Sequence, residues 1–377
     1  MKKHPKSTTD SVTRSAPNRV GAHTLLITGA AGYVGAMLVE QFSNREDVER
    51  IVALDMAPMP KMLEGIENLH YLQTNTASAW HDEVARFSPD IIVHCAWHIR
   101  EVYGDREITW KWNIDGSDTV FDFAFEYPCV KRLIHFSTVA SYGALSTNTT
   151  AHRFTEKEPF RQTDYLYAEE KRIAEAHLKE KSLLKAHENP ELSISIVRPA
   201  AITGPQGRYG RSSFGLQSAL SGRLTDSFLN KVVTTLTAFV PVTPKWLRQF
   251  IHEDDVVGIV ERLAFGTPVG TYEAFNICPP GPVVTGKDMA KAVGKKTLTV
   301  YPWMTRLPFF MLWHLSRGAI PTAPGSWKGY SYPIAVDGSK LTQFTGYVYK
   351  HSSSEAFSRT DGQYEYVVPP EVRKNKT

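Results

Sequence analysis

Residues 24–35 read Thr-Leu-Leu-Ile-Thr-Gly-Ala-Ala-Gly-Tyr-Val-Gly. Leu25 to Ile27 is an apolar run of the length a buried parallel strand needs, and it ends at Gly29, the first of three glycines spaced three apart. From Tyr33 the period turns helical, with Val34, Met37, Leu38 and Phe42 on one face. Gly29 permits a tight turn, Gly32 a close approach of phosphate to backbone, and Gly35 close packing of helix on strand. Tyr33 and Val34 then sit where a helix N-terminus offers free N–H groups and a partial positive charge to an anion.

A second apolar run, Ile51 to Leu54, ends in Asp55, twenty residues after Gly35. A carboxylate there accepts hydrogen bonds from the adenine ribose hydroxyls of a dinucleotide. Strand, glycines, helix, strand and acid fall in register, which predicts a dinucleotide site. The acid repels a ribose 2′-phosphate, and no Arg or Lys follows before Lys61, so the expected cofactor is NAD rather than NADP.

The chain continues as alternating strands and helices. Strands are expected at His70–Gln73, Ile91–His94, Lys131–Phe136 and Leu192–Val197, with helices over about 78–87, 107–125 and 164–186. Trp112, Thr119 and Phe123 are candidates for the inner face of the second of these helices. Asn75 lies in a polar turn suited to the adenine, and the small Ala96 at the tip of the fourth strand leaves room for a cofactor. This alternation predicts an α/β fold, a doubly wound parallel sheet of Rossmann type. Beyond Gly204-Pro205 it breaks up, with an apolar helix-like stretch near 231–239, and a smaller C-terminal substrate lobe is expected. The division is a disordered tail over 1–22, a cofactor domain over 23–204, a lobe over 205–366 from which 248–277 returns to the first domain, and a basic tail over 367–377.

With 377 residues, 42% hydrophobic and 22% charged, the composition is that of an ordinary globular protein. Much of the net charge of +4 comes from the two ends, so a nucleic-acid surface is not expected. Three cysteines without metal or disulfide spacing predict reduced thiols, no metal and a cytoplasmic location. The tract Leu307–Leu315, which contains Pro308 and His314, is too short to span a bilayer; membrane contact is not expected, the alternative being an amphipathic surface element. The aromatic residues of the last hundred, Trp303, Trp313, Trp327, Tyr330 and Tyr332, either pack or line an apolar pocket.

Tyr167 and Lys171, four apart on a predicted helix, share a face. A free phenol has a pKa of about 10, and a nearby ammonium stabilises its phenolate. Tyr167 can then exchange a proton with a substrate hydroxyl or carbonyl while a nicotinamide exchanges hydride, and Lys171 can reach the nicotinamide ribose. Thr138 offers a hydroxyl to orient the same oxygen. Ser137 competes for that role, and the alternative is that both hydroxyls cap strand and turn. Chemistry alone leaves Asn113 either holding a helix distortion or exposed.

Taken together the chain resembles an extended short-chain dehydrogenase/reductase of the NAD-dependent epimerase/dehydratase group. The resemblance runs from about residue 23 to 357 through Thr28–Gly35, Asp55, His94-Cys95-Ala96, Asn113 with Gly116, Ser137 to Gly143, Tyr167 to Lys171, Arg198-Pro199 to Pro205, Arg248 to Asp255 and Asp337 to Tyr347. It implies Tyr167 as catalytic acid/base, Lys171 as its partner and ribose ligand, Thr138 as the triad hydroxyl and Asn113 as a fourth member. It further implies Pro199 on the cofactor side, Arg248 on the diphosphate of a nucleotide-sugar substrate with Tyr142 beside the substrate, and a homodimer through the Asn113 and Tyr167 helices. Three departures qualify this. Asn75 replaces an aspartate near the adenine. Val139 stands where sugar-nucleotide dehydratases carry an acid, which argues against dehydration. Ala201 replaces an asparagine of nucleotide-sugar epimerases. The expected function is NAD-dependent hydride transfer to or from a secondary alcohol or ketone on a sugar or nucleotide-sugar. The alternatives are a 3β-hydroxysteroid dehydrogenase-like activity on an apolar alcohol and, in another class, a non-catalytic NAD(P)-sensing regulator.

Overall fold

The computed structural model describes residues 22–210, 239–292 and 294–370. The tail over 1–21, the end from 371 and most of the helix-like stretch near 231–239 lie outside the described residues. Strands β1 (His23–Thr28), β2 (Val48–Asp55), β3 (Leu69–Gln73), β4 (Ile91–His94), β5 (Arg132–Phe136) and β6 (Ser193–Pro199) join Tyr272–Ile277 in a parallel sheet. Its order is β3-β2-β1-β4-β5-β6 and then Tyr272–Ile277. The order reverses direction between β1 and β4, and that switch point is where a doubly wound sheet opens a crevice at its carboxyl edge.

The strands are apolar on consecutive residues because both faces of the sheet are covered. Leu25, Ile27, Ile51 and Ala53 point into one core, with α1 (Tyr33–Ser43) and the helix Glu253–Phe265. Leu26, Val52 and Leu54 point into the other, with α4 (Gly116–Glu126) and α5 (Leu166–Leu184). Leu25, Leu26 and Ile27 are fully buried, each contributing about 1.5–3 kcal/mol relative to exposure.

The helix expected over 78–87 is shorter, and α2 covers His81–Ala85 only. The Trp80 indole N–H donates to the Thr76 carbonyl, and Asn75 Oδ1 takes the Ala77 N–H, so a turn consumes the residues before it. The helix expected over 107–125 runs through α3 (Arg106–Trp110), a π-turn at Lys111–Asp115, and α4. Phe123 is fully buried on it, whereas Trp112 and Thr119 are half-buried.

Beyond β6 the described residues form three two-stranded pairs: Ala201–Thr203 with Phe250–His252, whose Ile202 and Ile251 pack on the main core, Leu247–Arg248 with Val284–Thr285, and Phe239–Val242 with Lys296–Thr299. Tyr272–Ile277 crosses back to extend the main sheet beside β6.

Candidate active site

The turn after β1 is closed by the Gly29 N–H on the Leu54 carbonyl at 2.8 Å. Gly29 has φ +72°, and a Cβ there would meet the Cys95-Ala96 backbone; one on Gly35 would strike the Gly29 carbonyl. Only glycine allows this strand, turn and helix to approach so closely. Gly32 is the N-cap of α1 and has no side chain to occupy the helix end. A cradle of bare backbone facing a helix N-terminus fits a dinucleotide pyrophosphate.

Asp55 ends β2 with both oxygens engaged, Oδ2 taking the Ala31 N–H at 3.0 Å and Oδ1 the Ala57 N–H at 2.8 Å. Its side chain therefore fixes the glycine turn to the strand tip. Tyr33 donates its hydroxyl to Glu253, while Val34 is half-buried. Glu253 was not anticipated from sequence. It is fully buried, burial pushes its carboxyl up, and it takes the N–H groups of Gln206 and Gly207 at 3.1 Å each. Asn75 spends Oδ1 on the Ala77 N–H, Ala96 donates its N–H to Thr28 Oγ1 at 3.3 Å, and Pro199 lies buried at the end of β6.

Thr138 follows β5 and caps a 3-10 turn, its Oγ1 taking the Ala140 N–H at 3.1 Å. The Ser137 hydroxyl is buried without a hydrogen-bond partner among the described residues. Lys171, at 3% exposure, donates to the Phe136 carbonyl and sits 3.5 Å from the centre of the Trp97 ring. Burial lowers it to about 7, against the pull of Cys95, Glu170 and Glu175. The same burial and the Lys171 charge hold His94 down to about 3 and keep His135 neutral. One turn before Lys171 on α5, Tyr167 is half-buried, its ring tilted against Tyr165 with centroids 5.8 Å apart.

Asn113 is buried, not exposed, and sits in the π-turn. The extra residue of such a turn re-aims a side chain, and π-turns recur at functional sites. Asn113 Oδ1 takes the His98 N–H at 2.7 Å, and Nδ2 donates to the His98 carbonyl at 3.0 Å and to Glu170 Oε2 at 2.7 Å. The amide thus ties the loop after β4 to α5. Glu170 was missed because a glutamate on a helix reads as solvated; it is 1% exposed, and burial pushes it up to about 7.

Tyr142, expected beside the substrate, lies in the core. It is fully buried, stacked on Phe154, and its hydroxyl takes an N–H of Arg198 at 2.8 Å and lies 3.0 Å from the Asn276 carbonyl oxygen of its side chain. Arg198 is itself ion-paired with buried Glu175, so this cluster anchors β6 to α5. Arg248 is half-buried, with one N–H on the Gly329 carbonyl at 3.3 Å and the rings of Trp246 and Tyr330 nearby. His252, Asp254 and His351 bring possible metal-ligating atoms within 4.8 Å of one another, but His252 Nδ1 already accepts the Asp254 N–H as a helix cap.

The arrangement places an anion cradle after β1 and, after β5, the Ser137 and Thr138 hydroxyls beside the buried Lys171 of α5. Comparison with known proteins agrees with that chemistry. The model of the NAD dependent epimerase/dehydratase family matches residues 25–278. An uncharacterised protein of Mycobacterium tuberculosis strain H37Rv is 23% identical over 367 residues, covering 93% of this chain and 87% of that one. Sterol-4-alpha-carboxylate 3-dehydrogenase, decarboxylating, of Candida albicans is 26% identical over 193 residues, covering 49% of this chain and 52% of that protein. Among solved structures, the Bordetella bronchiseptica enzyme WbmG in complex with NAD and UDP superposes with a TM-score of 0.65 at 20% identity, covering 93% of this chain and 96% of that one.

Proposed function

This chain belongs to the NAD dependent epimerase/dehydratase family, and from that premise we propose that it interconverts a secondary alcohol and its ketone, with Tyr167 as the acid/base. NAD, when bound, accepts the hydride of the alcohol or returns it to the carbonyl. Gly29, Gly32, Gly35 and the start of α1 would hold its phosphates and Asp55 its ribose.

Tyr167 takes the hydroxyl proton in the oxidative direction and gives it back to the carbonyl oxygen in the reductive one. Thr138 donates its O–H to the same oxygen, and Ser137 remains its competitor. Lys171 favours the phenolate as a cation one helical turn away. The observation that carries this reading is the burial of Lys171 at the tip of β5. An ammonium taken out of water at this cost has a task in the site, and its charge acts on a phenol there with little solvent screening.

Tyr167→Phe tests the reading by removing one oxygen. Turnover should fall by about 10²-fold or more, with NADH binding unchanged; an unaltered rate would remove Tyr167 from the mechanism.

For the substrate we favour an apolar alcohol. The similar Candida protein is named for a sterol carboxylate, and Tyr103 and Trp313, with ring centroids 5.5 Å apart, join the aromatic lobe to the loop that Asn113 clamps. A nucleotide-sugar is the second reading, favoured by Arg248 and by the UDP bound to the similar WbmG. Arg248→Ala separates them. The substitution should leave turnover of a sterol alcohol nearly unchanged, whereas loss confined to UDP-sugars would establish the second reading. A homodimer through α4 and α5 belongs to the same proposal.

A further inference from the structure

The helix Pro302–Leu315 is apolar on its outer face as well as its inner one. Its inner stripe is Thr305, Phe309 and Trp313, spaced four apart: Thr305 bonds the Ser331 hydroxyl, Phe309 packs on Tyr330, and Trp313 is 5% exposed against Tyr103. The opposite face shows Trp303, Leu307, Phe310 and Leu315 at 60–78% exposure, with Met304 and Met311 between them. Tyr301 and Ile320 extend the patch past both ends of the helix. A surface helix of a globular protein keeps its outer face polar, and a contiguous apolar patch marks a surface that meets a partner.

From this geometry we infer that the helix Pro302–Leu315 docks on an anionic lipid bilayer surface. Charge selects the partner. Between Asp288 and Asp337 the sequence holds no Asp or Glu, yet it holds Lys291, Lys295, Lys296, Arg306 and Arg317, and Lys328, which pairs with Asp164. Arg306 and Arg317 are exposed and carry no ion pair among the described residues. An apolar helix face flanked by cations and edged by Trp and Tyr has the composition of an element lying in the headgroup region, where each cation gains from anionic lipid.

A second copy of the chain fits less well. A two-fold contact would bring together two stretches with no Asp or Glu between Asp288 and Asp337, setting Arg306 and Arg317 of each copy against like charge. Among the described residues no helix is long and apolar enough to cross a membrane, so the contact is peripheral. The Tyr103 hydroxyl and His314 Nδ1 share a hydrogen bond at 2.9 Å, which ties the helix to the loop after β4. The inference stands on the exposed face itself, whichever alcohol is the substrate.

Flotation of the purified full chain with vesicles tests it. The chain should float with phosphatidylcholine–phosphatidylserine vesicles, and less with phosphatidylcholine alone or in high salt. The double variant Leu307→Glu, Phe310→Glu should lose about tenfold or more of the bound fraction while its NADH affinity and sedimentation stay those of the parent. Equal flotation of the variant would assign binding to the basic chain ends and overturn the inference. Absence of flotation would overturn it too, and self-association abolished by the variant would then identify a second copy as the occupant.

Discussion

Glu170 precedes Lys171 in α5 and shares its burial, so the site holds a carboxyl and an amine, each displaced to about 7 from opposite directions. Desolvation dominates both shifts. The Asn113 amide and the Lys171 charge only partly restore the Glu170 carboxylate, and one of its oxygens has no partner. A carboxyl whose folded pKa lies above its ordinary 4.5 binds its proton more tightly folded than unfolded. Its contribution to stability is fully present below about pH 4.5 and is lost as pH rises through about 7. Glu170→Gln keeps an acceptor for Asn113 and removes the charge. The variant should therefore be more stable than its parent above pH 7, by up to about 3 kcal/mol, with the difference vanishing in acid. Denaturant unfolding of both proteins across that window measures it, and a pH-independent difference would refute the assignment. Glu170 also helps keep Lys171 charged, so the stabilised variant should turn over more slowly near neutral pH. That opposition is the stability–activity trade expected where a charge is held in a site.

At the scale of elements, the strands were readable because a sheet covered on both faces needs uninterrupted apolar runs, and Leu25–Ile27 and Ile51–Leu54 have them. The glycine turn was readable for a stricter reason, since a Cβ at Gly29 or Gly35 has nowhere to go. Other features left no trace in the pattern. The π-turn at Lys111–Asp115 adds a single residue to a helical repeat, which the spacing of apolar positions does not resolve, and so Asn113 could not be placed. Glu170 failed the usual rule that helix charges are solvated, and Tyr142 looked like a site residue by its neighbours while its ring fills the core. The helix Pro302–Leu315 is apolar nearly all round, so the sequence does not say which stripe is inside. Tertiary partners decide it: Ser331, Tyr330 and Tyr103 claim Thr305, Phe309 and Trp313 and leave the larger apolar face outside.

For the whole molecule the question is whether cofactor leaves between turnovers. The glycine turn, the tip of β2 and the start of the helix Glu253–Phe265 are linked by Asp55 on Ala31 and by Tyr33 on Glu253, so a dinucleotide held at the glycine turn would require these linked elements to be folded. Binding to the folded state alone stabilises it by about 2.7 kcal/mol at a ligand concentration 100 times Kd. NADH should give that increment in denaturant unfolding, and NADPH at the same concentration should give much less, because its 2′-phosphate meets the Asp55 carboxylate. An equal or larger effect of NADPH would show that Asp55 is spent on the Ala31 and Ala57 amides and does not read the ribose. The same preparation, denatured before any cofactor is added, separates two cycles. Released NAD would mean that hydride returns to the substrate in place, as an epimerase requires, whereas an empty protein that exchanges NADH freely fits net oxidation of an alcohol, the outcome expected from the apolar lobe.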